Sequence, residues 1–135
     1  MSMRKKDFRS NAHVVFNCIY HVIFCPKWRR KVLTDGVDTR LKEILSEVAL
    51  ETATEIVELE VMPDHVHLLL SVDPECGIRR VVRLMKGRSS NILRKEFPTL
   101  RSRIPTLWTR SYFVQTVGGA PLSVIKQYIE AQKHV

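Results

Sequence analysis

Two histidines separated by one residue, in Asp64-His65-Val66-His67, stand at the head of an apolar run. On a β-strand, side chains alternate between faces, so His65 and His67 point the same way, about 7 Å apart. Two imidazoles converging from one face can hold a divalent metal. The same spacing serves structural or surface histidines equally well, and alone it does not choose between them. Tyr128 and Gln132 form a second pair. Their i, i+4 spacing places them on one face of a helix, while Leu122, Ile125 and Ile129 can anchor the other face to the body. A lone helix tyrosine is ordinary. Only its combination with the histidine pair gives it chemical interest.

These residues need elements to position them. Val14 to Phe24 is rich in β-branched and aromatic residues and reads as a strand that Pro26 ends. After a basic loop, Val37, Leu41, Ile44, Leu45 and Val48 recur at helical spacing, so Val37 to Glu51 reads as an amphipathic helix. Glu55 to Val61 and His65 to Val72 read as two strands of an antiparallel hairpin turned at Met62-Pro63-Asp64. Gly77 to Phe97 reads as a long basic helix with Ile78, Val81, Val82, Met85, Ser89 and Ile92 as its buried stripe. Pro98 to Pro105 is expected to be a loop and Ser111 to Val117 a last strand. Gly118-Gly119 makes a flexible joint before a helix over residues 121–133 that carries Tyr128. The order β-α-β-β-α-β-α is α+β. It predicts a ferredoxin-like antiparallel sheet with helices on one face, plus a C-terminal tyrosine-bearing helix. Residues 1–135 make one domain, with 1–12 expected as a flexible arm.

The net charge is +8, and its distribution matters more than its size. Arg79, Arg80, Arg83, Lys86, Arg88, Arg94 and Lys95 lie in one helix without an acid from Ile78 to Lys95, and Lys27, Arg29, Arg30 and Lys31 form a second cluster. The acids crowd between Asp35 and Asp64. Such segregation is the footprint of a binder of phosphate backbones; a solvated helix face is the plainer alternative. Lys27, Arg29, Arg30, Lys31, Arg79, Arg83, Lys86 and Arg88 are the candidate contacts to a nucleic-acid backbone. No apolar run reaches the roughly 18 residues of a membrane span, so no membrane partner is expected. Cys18, Cys25 and Cys76 are odd in number and lack CxxC spacing. They read as reduced thiols of a cytoplasmic protein. Aromatic residues are only 7% of the chain, so base-stacking platforms are scarce; Trp28, Trp108 and Phe113 are read as core. His21 is read as packed or hydrogen-bonded rather than a ligand.

Taken in order, four stretches resemble the single-tyrosine HUH transposases of small insertion sequences that move as single-stranded DNA. Residues 61–70, VMPDHVHLLL, resemble the motif of two histidines around a hydrophobic residue. Residues 20–33, YHVIFCPKWRRKVL, resemble the family's first strand and basic loop, and residues 86–90, KGRSS, the middle of its second helix. Residues 111–118, and then Tyr128 to Gln132 (YIEAQ), resemble the last strand and the tyrosine helix. The match runs from about Asn17 to Gln132.

The resemblance implies a transposase that cuts and rejoins single-stranded DNA at element ends, with Tyr128 as nucleophile and a 5′-phosphotyrosine intermediate. It implies that His65, His67 and Gln132 bind Mg²⁺ or Mn²⁺, and that the DNA carries a hairpin. It also implies a homodimer in which the tyrosine helix of one subunit acts in trans on the other. Energy conserved in the phosphotyrosine makes ATP unnecessary, in keeping with the absence of a P-loop. Two alternatives belong beside it. One is a domesticated or non-catalytic relative that binds hairpin DNA on the same fold. The other is a basic RNA-binding module, which leaves the histidines and Tyr128 without a role.

Overall fold

A computed structural model of the chain describes residues 8–117 and 122–135, with side chains for 8–117 and 126–135. Strands β1 (Arg9–Ser10) and β2 (Val15–Phe16) form a small antiparallel ribbon. The body follows as β3 (Ile19–Phe24), α1 (Val37–Glu51), β4 (Glu55–Met62), β5 (His65–Ser71), α2 (Ile78–Glu96), the short α3 (Thr99–Arg103), β6 (Phe113–Thr116) and α4 (Leu122–Ala131). The main sheet has the order β4-β5-β3-β6, and each pairing is antiparallel. This is the expected ferredoxin-like arrangement.

The period-2 pattern of the strands explains the layering. Val22 and Phe24 of β3 and Val66, Leu68 and Leu70 of β5 enter the core. There they meet Leu41, Ile44, Leu45 and Val48 of α1 and Val81, Val82, Met85 and Leu93 of α2. The intervening residues face the other side of the sheet. Directly opposed residues of antiparallel strands share a face, so Glu60, His67, Ile23 and Phe113 form one row across all four strands. Helix α4 lies on this second face, where Tyr128 and Ile129 pack on Ile23 and Cys25.

Several expectations need correction. Val14 to Phe24 is not one strand: Val15 and Phe16 pair with β1, and only Ile19 onward joins the sheet. Residues 98–105 are not all loop, because α3 buries Leu100 and Ile104 follows it into the core. In α2, Leu93 is buried, whereas Ile78 and Ile92 of the expected stripe are half-buried. The part of the arm from Arg9 onward is tied down, since its guanidinium donates to the carbonyls of Ser71 (2.8 Å) and Ala53 (2.5 Å). Trp28 was expected in the core and is 42% exposed. The arm before Phe8, the Gly118-Gly119 joint, Pro121 and the side chains of Leu122 and Ile125 lie outside the described residues. No helix among the described residues is long and apolar enough to cross a membrane.

Candidate active site

β5 delivers the two histidines as alternation requires: Val66 between them is fully buried, while His65 and His67 are partly exposed on the opposite face. His65 Nδ1 donates to Asp64 Oδ1 at 2.8 Å. In the neutral ring this bond fixes the tautomer and leaves the Nε2 lone pair for a ligand. His67 Nε2 lies 3.1 Å from Nδ1 of His21, and the two rings stack with centroids 5.4 Å apart. His21 is thus the hydrogen-bonded neighbour expected of it. Burial, reinforced by the charge of His21, holds His67 below the ordinary histidine range. It is therefore neutral at neutral pH, the state in which imidazole binds metals.

Tyr128 comes from the other side of the same row. Its ring meets Phe113 at 5.4 Å between centroids and packs on Ile23. Ile23 is the residue paired with His67, and neighbouring strands lie about 4.8 Å apart. The phenol oxygen is 3.2 Å from Ser111 Oγ. Burial pushes the phenol up from its ordinary value, against a smaller lowering by Ser111. Gln132 begins a 3₁₀ turn after α4 and is buried. Its amide oxygen accepts from Thr109 Oγ1 (3.3 Å) and Ser111 Oγ (3.4 Å). The helical spacing of Tyr128 and Gln132 does bring them to one place, the Ser111 hydroxyl.

The donors suit a divalent ion in kind. His65 offers a free nitrogen and His67 is held neutral, but a ligand at His67 Nε2 must displace His21. Gln132, as placed, is turned to Thr109 and Ser111. No group of three or more His, Cys, Asp or Glu side chains with metal-binding geometry occurs among the described residues.

One side chain ties the two halves together. Arg29 Nε lies 3.2 Å from Asp64 Oδ2, and Nη1 donates to Glu130 Oε2 at 2.9 Å. It thus reaches both the carboxylate that orients His65 and the helix that carries Tyr128. The loop that presents it is strained: Trp28 and Arg29 have φ of 58° and 50°, a region costly for residues other than glycine. Backbone bonds hold it there, from Lys27 N to Leu107 O and from Trp28 N to Val135 O, both 2.8 Å.

The expected DNA contacts divide. Lys27, Arg30, Lys31, Arg79 and Arg83 make no ion pair among the described residues. Three others are engaged within the fold. Arg29 binds two carboxylates, Arg88 pairs with Glu51 at 2.6 Å, and Lys86 Nζ donates to the carbonyls of Thr109 (2.7 Å) and Ser111 (3.0 Å). Burial lowers the Lys86 pKa to about 8. Sequence reading missed Arg29 as a bridge, and it missed Thr109 and Ser111. A single hydroxyl in a loop carries no spacing signal, whereas Asp64 directly before the histidines was a usable hint.

Comparison with known proteins agrees along nearly the whole chain. The sequence pattern of the IS200-like transposases matches residues 14–132. The ISDra2 transposase TnpA of Deinococcus radiodurans is 39% identical over 128 residues, covering 93% of this chain and 91% of that protein. The transposase of insertion sequence IS200 from Salmonella typhimurium is 33% identical over 128 residues, covering 93% and 84%. A crystal structure of a Deinococcus radiodurans R1 protein assigned as a transposase superposes with a TM-score of 0.85 at 39% identity, over 94% of this chain and 99% of that one. A REP-associated tyrosine transposase bound to a REP hairpin shares the fold, with a TM-score of 0.55 at 13% identity over 96% and 69% of the two chains. With so continuous a match, the chain belongs to the family of IS200-like transposases.

Proposed function

We propose that this transposase cuts and rejoins single-stranded DNA through Tyr128. The observation that carries the reading is the shared row on the second face of the sheet. Tyr128 packs on Ile23 and Phe113, and His67 stands next in line. The phenol oxygen attacks the scissile phosphorus and the bond to the 3′ oxygen breaks. A 5′-phosphotyrosine forms and the 3′ end leaves as a hydroxyl. Rejoining reverses the step with another 3′-OH, so no nucleotide cofactor is consumed. The phenol must lose its proton, and its raised pKa makes a helper necessary. Ser111 Oγ can accept a hydrogen bond from the phenol and orient it, while the proton ends on the departing 3′ oxygen, which leaves as the hydroxyl. Cys25 does not take the proton, because burial pushes its thiol up to about 12.

His65 and His67 would hold Mg²⁺ or Mn²⁺, and Gln132 would join them only by leaving Thr109 and Ser111. A bound divalent ion would polarise the scissile phosphate and steady the leaving oxygen. Hairpin DNA at element ends and a homodimer are part of the same proposal. β6 ends the sheet order, as β4 does at the other side, and a second copy would pair along such an edge. In this structure α4 docks on its own sheet; its exchange between subunits is the proposed working arrangement in the dimer.

The test uses labelled single-stranded DNA from the ends of the protein's own locus, with Mg²⁺ or Mn²⁺. A covalent adduct on a denaturing gel is expected, lost with Tyr128→Phe and with chelator. An adduct that survives Tyr128→Phe unchanged overturns the tyrosine mechanism. Tight binding of the strand without any adduct favours the non-catalytic hairpin-binding relative.

A further inference from the structure

Along α2 runs a cleft that the chemistry above does not use. It has a volume of about 450 Å³ and lies between α2 and residues 106–112, within the roughly 300–1,000 Å³ of small-ligand sites. Its lining is mainly apolar. Trp108 is a rigid part of the wall: it is buried, its indole N–H donates to Ser89 Oγ at 2.9 Å, and its ring meets Phe24 edge to face. Tyr112 lines the cleft and is half-buried, with Lys86 Nζ 5.8 Å from the ring centroid. Arg79, Arg83 and Arg110 border the cleft and make no ion pair among the described residues.

Two features point to a strand rather than a free small molecule. A second cavity, of about 520 Å³, continues along the helix and shares Arg83 and Gly87 with the first. Gly87 is the saddle between them. An added Cβ there would have no neighbour within 4 Å, and the backbone lies within regular helix. Neither packing nor conformation requires glycine at this position. What its missing side chain does provide is open passage between the cavities.

We propose that this cleft receives a nucleobase of single-stranded DNA, while Arg79, Arg83 and Arg110 hold the phosphates beside it. The base would lie against Tyr112, with the buried Trp108 backing the wall, a sequence-tolerant mode because every base has a π-face. Anionic backbone and apolar base match the two parts of the cleft, a cationic rim and an apolar floor. The site is separate from Tyr128 but shares a wall with it. Lys86 grips the Thr109 and Ser111 carbonyls from the cleft side, while the hydroxyls of the same two residues meet Gln132 and Tyr128. The proposal rests on single-stranded DNA being the substrate.

The test is equilibrium binding of the full chain, without cleavage, to fluorescein-labelled dT20 and to an abasic strand of the same length, each joined to a hairpin from the ends of the protein's own locus. The parent should bind dT20 at least about fivefold more tightly than the abasic strand. Gly87→Leu fills the saddle and should bring dT20 to the abasic level, leaving abasic binding unchanged. Gly87→Ala should keep most of the preference. Thermal melting of each variant verifies folding, and Tyr112→Ala, on the opposite wall, should lose the preference independently. If Gly87→Leu and Tyr112→Ala keep the parental preference, or the parent shows none, the cleft does not bind bases although single-stranded DNA remains the substrate. If neither strand binds the parent, the substrate reading falls and takes the cleft with it.

Discussion

Cys25 is fully buried against the same apolar cluster as Tyr128 and Ile129. Burial raises its thiol to about 12, with Asp64 adding to the shift. A thiol that stays protonated is a poor nucleophile. Iodoacetamide should therefore leave Cys25 unmodified in the folded protein, with no rise between pH 7 and 9, while the half-exposed Cys18 and Cys76 react. Peptide mass mapping measures this, and native labelling of Cys25 would contradict the placement. At this scale the sequence was informative where a residue's direction follows from periodicity. Strand alternation put His65 and His67 on one face, and helical spacing brought Tyr128 and Gln132 to Ser111. It was uninformative where direction depends on partners far along the chain. The engagement of Arg29 with Asp64 and Glu130 needs a loop, a strand end and a helix to be folded first.

Helix α2 is long and amphipathic, and it carries Gly87 at mid-length. Glycine in a helix interior is about 1 kcal/mol less favourable than alanine. Nothing stands within 4 Å of an added Cβ there. Gly87→Ala should accordingly raise unfolding stability by about 1 kcal/mol in urea titration. A loss of stability would mean that the site is closed rather than open. The elements with strong local patterns, α1, α2 and the β4–β5 hairpin, were legible in the residues. The elements decided by pairing were not. Val15 and Phe16 have good strand chemistry, yet they pair with Arg9 and Ser10 rather than extending β3. Local propensity does not name the partner strand. Leu100 and Ile104 carry an i, i+4 apolar pair, but α3 is a single short turn of helix between prolines and was hidden by them.

For the whole molecule, the charge of +8 sets how binding responds to salt. Each phosphate neutralised on a single strand contributes about −0.7 to the slope of log K against log salt. Arg79 and Arg83, which have no acid partner among the described residues, should each lower that slope by about 0.7 when changed to alanine. Arg88→Ala should change it less, because Glu51 already holds that guanidinium. Filter binding between about 50 and 200 mM salt distinguishes them. Equal effects for all three would show that the Arg88–Glu51 pair opens to DNA. The antiparallel sheet with helices on one face and a separate C-terminal helix carrying Tyr128 followed from the element order. The cleft along α2 did not, since it is bounded by two segments whose approach no pattern encodes.

The bridge made by Arg29 has two unequal ends. Its Nε faces Asp64, and both side chains are only 17% exposed; its Nη1 faces Glu130, which is 63% exposed. Screened ion pairs at exposed carboxylates are weak, so the grip on the helix should fail before the grip on Asp64. Linkage makes such a joint reciprocal: whatever favours one partner's geometry alters the other's by the same free energy. The coupling is equal in both directions, but the shielded Asp64 contact has stability to spare and the exposed Glu130 contact does not, so release at Glu130 leaves His65 largely oriented while loss of the Asp64 contact is visible at the helix. Hydrogen exchange should show Asp64→Asn loosening the α4 amides, although Asp64 lies at the far end of the bridge from α4. The arrangement amounts to a latch whose keeper remains fixed when the bolt is drawn.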